Sequence, residues 1–135
     1  MGIICGILHV ETGEIELVVK GHIYPLLVKS NGENRWVGIP AYPLGIGKPS
    51  PTKSVHLRLE PGDKILCITD GIIETRVADQ PIGFEGIEKW ARETIEPDAE
   101  AWVNALEEKH KIWSRGNQVD DISIFAISRN LGENP

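Results

Sequence analysis

Residues 3–10, "IICGILHV", are almost uninterrupted apolar, the pattern of a strand covered on both faces. "ETGE" at 11–14 supplies a glycine turn, and "IELVVK" at 15–20 returns as a second strand. After Gly21-His22, "IYPLLVK" reads as a third strand, closed by the turn "SNGE" and followed by the short extended "NRWVGI". The first forty residues are therefore predicted to form a meander. Residues 40–53 hold four prolines and two glycines, too many for a helix or central strand, so they form a loop over the surface or along a cleft. In "SVHLRL" the period of two is clean, with Val55, Leu57 and Leu59 on one face and Ser54, His56 and Arg58 on the other. "EPGD" then turns the chain into the apolar run "KILCIT".

Beyond Arg76 the period lengthens to that of a helix. Ile87, Trp90, Ala91 and Ile95 share one helical face, and Trp102, Val103, Leu106, His110 and Trp113 share the face of a second helix. Pro97-Asp98 breaks the first helix and starts the second, and Gly116 stands where the second should end. "ISIFAIS" is a last strand before a polar tail, "RNLGENP", that is expected to fray. The fold class predicted is α+β, with largely antiparallel sheets and the two later helices packed on one face. With no repeats, linkers or low-complexity tracts, residues 1–135 are expected to form one domain.

Charge narrows the partners. Fourteen Lys and Arg against 20 Asp and Glu give a net charge of −6 with no basic block, which argues against nucleic acid or an anionic membrane as the ligand. The apolar start has no basic flank and soon meets His9 and Glu11, unlike a signal or membrane-spanning segment. Cys5 and Cys67 lie inside apolar runs, where reduced, buried thiols are usual, and a cytoplasmic location is expected.

Two strand ends carry the chemistry. Asp70-Gly71 follows "ILCIT", and Asp120-Asp121 precede "ISIFAIS". Either pair alone is an ordinary turn. Brought together by a sheet, their carboxylates would repel strongly unless a divalent cation held them. Neighbouring side chains of an extended segment face opposite ways, so only one of Asp120 and Asp121 would reach such an ion directly. Gly71, without a Cβ, would admit backbone or water closely. His22 stands at a strand start, where a lone histidine is more often a structural hydrogen-bonder and otherwise orients a loop or approaches the site. His9, His56 and His110 share no ligand spacing, and Trp90, Trp102 and Trp113 read as core anchors. "LGIGKP" lacks the glycine spacing and following helix of a phosphate loop.

Five ordered segments carry a resemblance: Gly21-His22 with Pro25, "PLGI" at 43–46, "LEPGDKILCITDGIIETR" at 59–76, "IGFEGIEKW" at 82–90 and "VDDISIFAISR" at 119–129. Together they resemble the sporulation stage II protein E family of PPM-type, metal-dependent serine/threonine protein phosphatases. That resemblance implies the C-terminal half of an α-β-β-α sandwich. It implies that Asp70 and Asp120 bind Mn²⁺ or Mg²⁺, two ions in the complete family site, with Gly71 giving close backbone approach. Glu74 recurs in the family motif and is implied in a supporting position, being otherwise a solvated loop carboxylate, while Asp121, left to hold water or steady the ligands, and His22 are expected to support the site. The ions would share a water whose pKa they lower, and the hydroxide would attack phosphorus in line.

Relative to the family pattern, the upstream Gly-Asp and Asp-x-x-Gly-His-Gly motifs are absent, the first aspartate being Asp63, and Lys20 replaces the small or amide residue usual before Gly21-His22. Metal binding by this chain is therefore expected to be weak or partial. The reading is a phosphoprotein phosphatase, its implied substrate a phosphorylated anti-sigma factor antagonist. The alternative is a non-catalytic interaction or regulatory module that keeps the fold. A half sandwich would expose an apolar face or strand edge, so a homo-oligomer or pairing with a complementary half is expected.

Overall fold

A computed structural model of the chain describes residues 1–49, 51–117 and 120–132. Val119, which opens the last motif, and the end of the tail at 133–135 lie outside the described residues.

The elements run β1 (Ile3–His9), β2 (Glu14–Lys20), β3 (Leu26–Val28), β4 (Asn34–Trp36), β5 (Val55–Arg58), β6 (Lys64–Ile68), α1 (Asp70–Glu74), β7 (Arg76–Val77), β8 (Gln80–Pro81), α2 (Gly83–Glu93), α3 (Ala99–Ser114) and β9 (Ile124–Ser128). One sheet has the order β1-β2-β5 and another the order β4-β3-β6-β9, while β7 and β8 form a small hairpin. Every pairing is antiparallel. The predicted α+β class is what forms, with one correction to the expected meander. The two early hairpins separate, β1-β2 into the first sheet and β3-β4 into the second, and the link at 21–25 passes between them.

Alternation along β3 and β6 builds two cores from the same strands. Leu27 and Ile65 point toward the first sheet, where Ile15, Leu17, Leu57 and Leu59 meet them. Leu26, Val28, Leu66 and Ile68 point the other way, against Ile87, Trp90, Trp102 and Leu106 of the helices. The layers are thus sheet, sheet, helices. Asp98 caps α3 by accepting the Ala101 N–H at 2.8 Å, and Arg115 in the left-handed region, followed by Gly116 at φ 79°, ends it. Ile95 departs from its predicted helical face: α2 stops at Glu93, before Pro97 forces an extended approach, and Ile95 is 88% exposed.

Strand β1 departs most from expectation. As the edge of a three-stranded sheet, it pairs, among the described residues, only with β2. Ile4, Gly6 and Leu8 face inward, opposite Val19, Leu17 and Ile15, while Ile3, Cys5 and Ile7 lie on the outer face opposite Lys20, Val18 and Glu16. The helices pack on the second sheet, so this outer face lies open: Ile7 is 60% exposed and Cys5 is exposed rather than buried. Cys67 is partly buried, and burial pushes its thiol up to about 11. Among the described residues, no helix is long and apolar enough to cross a membrane.

Candidate metal centre and adjoining cavity

Strand β6 carries its apolar residues to Ile68, and the chain then enters α1 instead of the loop expected from Asp-Gly, with Asp70 as the first helical residue. Thr69 stands at the N-cap, yet its side chain makes no capping bond. Its hydroxyl instead accepts the N–H of Ser123 at 2.9 Å, and its own N–H donates to the Ser123 carbonyl at 3.1 Å. This two-bond latch ties the segment entering β9 to the end of β6, extending the β6-β9 ladder that pairs Ile68 with Ile124.

The latch sets Asp120 and Asp121 beside Gly71. A Cβ on Gly71 would stand 2.5 Å from the Asp121 carbonyl oxygen and 3.5 Å from the Asp120 Cβ, so only glycine permits this approach. Asp70 and Asp120 thereby come from adjacent segments on one side of the fold, and both are exposed. Asp120 Oδ1 accepts the Asp121 N–H at 2.8 Å. Because β9 begins only at Ile124, strand alternation does not govern these two side chains. Glu74 is exposed at the end of α1, on the turn after Asp70.

Asp70 and Thr69 line one end of a cavity of about 720 Å³, whose other walls include His22, Tyr24, Trp36, Pro40 and Phe84. His22 thus shares a cavity with Asp70, and its Nδ1–H donates to the Ile23 carbonyl at 2.8 Å. Gly21, at φ 58°, lets the loop after β4 close over it: a Cβ there would stand 2.5 Å from Pro43. Trp36 meets Phe84 edge to face at 5.1 Å, and its Nε1 donates to Glu88 Oε1 at 2.7 Å. The proline-rich loop therefore lines a cleft, as its composition suggested, and the aromatic wall escaped the sequence reading because its rings come from β4 and α2, far apart in the chain.

Two polar groups behind the site were also missed. Thr75 Oγ1 donates to the Gly71 carbonyl at 2.7 Å, and His110 Nε2 lies 3.1 Å from Thr75 Oγ1. Both side chains are buried, and burial pulls the His110 pKa below its ordinary value. A signal existed for Thr75, four residues after Gly71 on one helical turn. His110 was placed on the buried face without a partner.

Exposed carboxylate oxygens suit a hard divalent cation, which takes six or more oxygens. Asp70 and Asp120 are the acidic donors placed here. Among the described residues, no three His, Cys, Asp or Glu side chains gather to hold an ion by themselves. These oxygens fit such an ion in kind.

The family described as Stage II sporulation protein E (SpoIIE) matches residues 1–130. Among solved structures, the RsbU and RsbW domains of Rv1364c from Mycobacterium tuberculosis align with a TM-score of 0.79 at 25% identity, over 98% of this chain and 37% of that one. The phosphatase domain of the cell fate determinant SpoIIE from Bacillus subtilis, presoaked with Mn, aligns with a TM-score of 0.78 at 16% identity, over 99% of this chain and 58% of that one. RsbX in complex with magnesium aligns with a TM-score of 0.59 at 20% identity, over 88% of this chain and 51% of that one. The chain spans between about a third and three fifths of the length of these structures.

Proposed function

The chain belongs to the stage II sporulation protein E family, and from that premise we propose that it forms the C-terminal part of a metal-dependent protein serine/threonine phosphatase site. The observation that carries this reading is the pairing of the Asp70-Gly71 turn with the Asp120-Asp121 segment through the Thr69–Ser123 latch. Asp70 and Asp120 hold Mn²⁺ or Mg²⁺ together with groups from another segment or chain, and Asp121, Glu74 and His22 support them. Two ions belong to the family site. The metal, when bound, supplies activation of water and neutralisation of phosphoryl charge.

Protein substrates bearing phosphoserine or phosphothreonine, in the first place a phosphorylated anti-sigma factor antagonist, match the family and the alignment with an RsbU domain joined to an RsbW domain. The cavity beside Asp70, walled by Tyr24, Trp36 and Phe84, offers space for the residues flanking the phosphate. Reduced thiols and a net charge of −6 suit a cytoplasmic protein acting on another protein. Self-association, or pairing with a complementary half, covers the open face of the β1-β2-β5 sheet.

The test is hydrolysis of a phosphoserine protein and of a chromogenic phosphate ester in Mn²⁺, by the chain alone and after adding the upstream half of a homologous phosphatase domain. Turnover in either mixture that is lost in Asp70→Asn supports the reading. No turnover in both, with the chain folded and bound to its partner, favours the non-catalytic module.

A further inference from the structure

Helix α1 has only five residues and no side-chain cap, far too few to persist through its own hydrogen bonds. The direction of Asp70 must therefore be set from outside the helix. The Thr69–Ser123 latch fixes where α1 starts. What fixes its far end is a chain of buried polar groups from Gly71 through Thr75 to His110.

The donors in that chain are determined by chemistry. The Gly71 carbonyl can only accept, so the Thr75 hydroxyl gives it its proton. Thr75 Oγ1 is then left as an acceptor, and His110 Nε2 must carry a hydrogen to reach it at 3.1 Å. His110 is itself held in place: it is 4% exposed, its ring meets Trp90 of α2 edge to face at 6.4 Å, and it lines a cavity together with Ile122, Ser123 and Ile124. One side chain of α3 thus shares a cavity with the segment after Asp120-Asp121 and reaches, through Thr75, the turn bearing Asp70.

We propose that His110 and Thr75 are positioning residues, a clamp through which helix α3 holds the Asp70-Gly71 turn in register with Asp120. This rests on the reading of Asp70 and Asp120 as metal carboxylates. Three predictions are specific to the clamp: His110 is the neutral Nε2–H tautomer, the hydroxyl at position 75 is required, and any donor that reaches it from position 110 suffices.

The experiment compares the full chain with Thr75→Val, Thr75→Ser, His110→Phe, His110→Gln and Asp70→Asn. Hydrogen exchange of the 71–75 amides, the ¹⁵N shifts of the His110 ring, Mn²⁺ affinity by calorimetry with MnCl₂, and thermal melts are read for each. Thr75→Val and His110→Phe are expected to speed exchange in α1 about tenfold and to weaken Mn²⁺ binding about tenfold, while Thr75→Ser and His110→Gln stay near wild type. The Nε2–H signature should be present in wild type and lost in Thr75→Val. Unchanged α1 exchange in both disrupting variants overturns the clamp. So does faster exchange with unaltered Mn²⁺ affinity, provided Asp70→Asn weakens binding. If Asp70→Asn leaves Mn²⁺ binding intact, the metal reading fails instead, and exchange and tautomer alone decide the clamp. Should Thr75→Val not fold, His110→Phe against His110→Gln gives the same contrast.

Discussion

Replacing Asp63 should cost the fold more than replacing either proposed metal carboxylate, although all three are aspartates beside apolar strands. Asp63 is wholly buried and accepts three bonds: from Lys29 Nζ at 2.5 Å, from the Ser30 N–H at 2.9 Å and from the Glu60 N–H at 2.8 Å. Asp63→Ala strands two backbone donors and an ammonium group, a loss of about 4 kcal/mol. Asp63→Asn keeps one acceptor oxygen and should lose about 2 kcal/mol. At this chain length those losses correspond to melting points lower by roughly 15 °C and 8 °C. Burial pushes the Asp63 carboxyl up, but the Lys29 bond, the two N–H donors and the Lys29 charge outweigh it, so its pKa lies below the ordinary 3.8. Its contribution is therefore complete above the unfolded-state pKa and lost as pH falls through the folded value. Thermal melts of wild type and Asp63→Asn from pH 7 down to about pH 2.5 should show the difference narrowing in acid. Melting points within about 1 °C of each other at pH 7, or a difference that does not shrink on acidification, would refute the account of this network.

Asp70→Asn and Asp120→Asn should each weaken Mn²⁺ binding while leaving stability within about 0.5 kcal/mol of wild type or raising it, because like-charge repulsion is relieved; calorimetry with parallel melts checks both, and unchanged affinity in both variants would remove the metal reading. Iodoacetamide at pH 8 should modify exposed Cys5 well before Cys67, whose thiol is pushed up to about 11; peptide mapping against time reads the order, and equal rates would contradict the burial of Cys67. The chain should self-associate through the outer face of the β1-β2-β5 sheet, where Ile7 is 60% exposed, and Ile7→Lys should shift sedimentation toward the monomer; a wild-type monomer at high concentration that binds no hydrophobic dye would count against it.

Alternation and helical period made most elements legible in advance. Leu57 and Leu59 are buried as the period of two required, and Trp102, Leu106 and His110 are buried as the helical period required. Periodicity reports how many faces of a segment are apolar, which is a different matter from what covers them. "IICGILHV" has two apolar faces, and its outer face lies open because, among the described residues, the helices pack on the other sheet. The division of the first forty residues between two sheets was equally hidden, since strand pairing depends on contacts distant in sequence. At the site, Asp70, Gly71 and Asp120 stood out as carboxylates and a glycine interrupting apolar runs. The groups behind them did not. Thr75, His110 and the two-bond Thr69–Ser123 latch act through individual hydrogen bonds that leave no mark on periodicity.

Asp63 and Asp70 bracket the same strand, one entering β6 and one leaving it, and the fold treats them oppositely. At the entry, the turn at 60–63 directs the Glu60 N–H inward, and the β3–β4 hairpin adds the Ser30 N–H and the Lys29 ammonium. That carboxylate is neutralised from within the chain and serves stability. At the exit, the backbone N–H and hydroxyl of Thr69 are already committed to Ser123, and Asp70 is left exposed at the rim of a cavity. The segment bearing a second carboxylate, Asp120, lies against Gly71, where no side chain would fit. Burying the one costs little because its donors are preorganised, whereas the other two stay exposed to solvent. The proposed metal role gives these exposed carboxylate oxygens a partner of matching chemistry, since a hard divalent cation takes oxygen ligands.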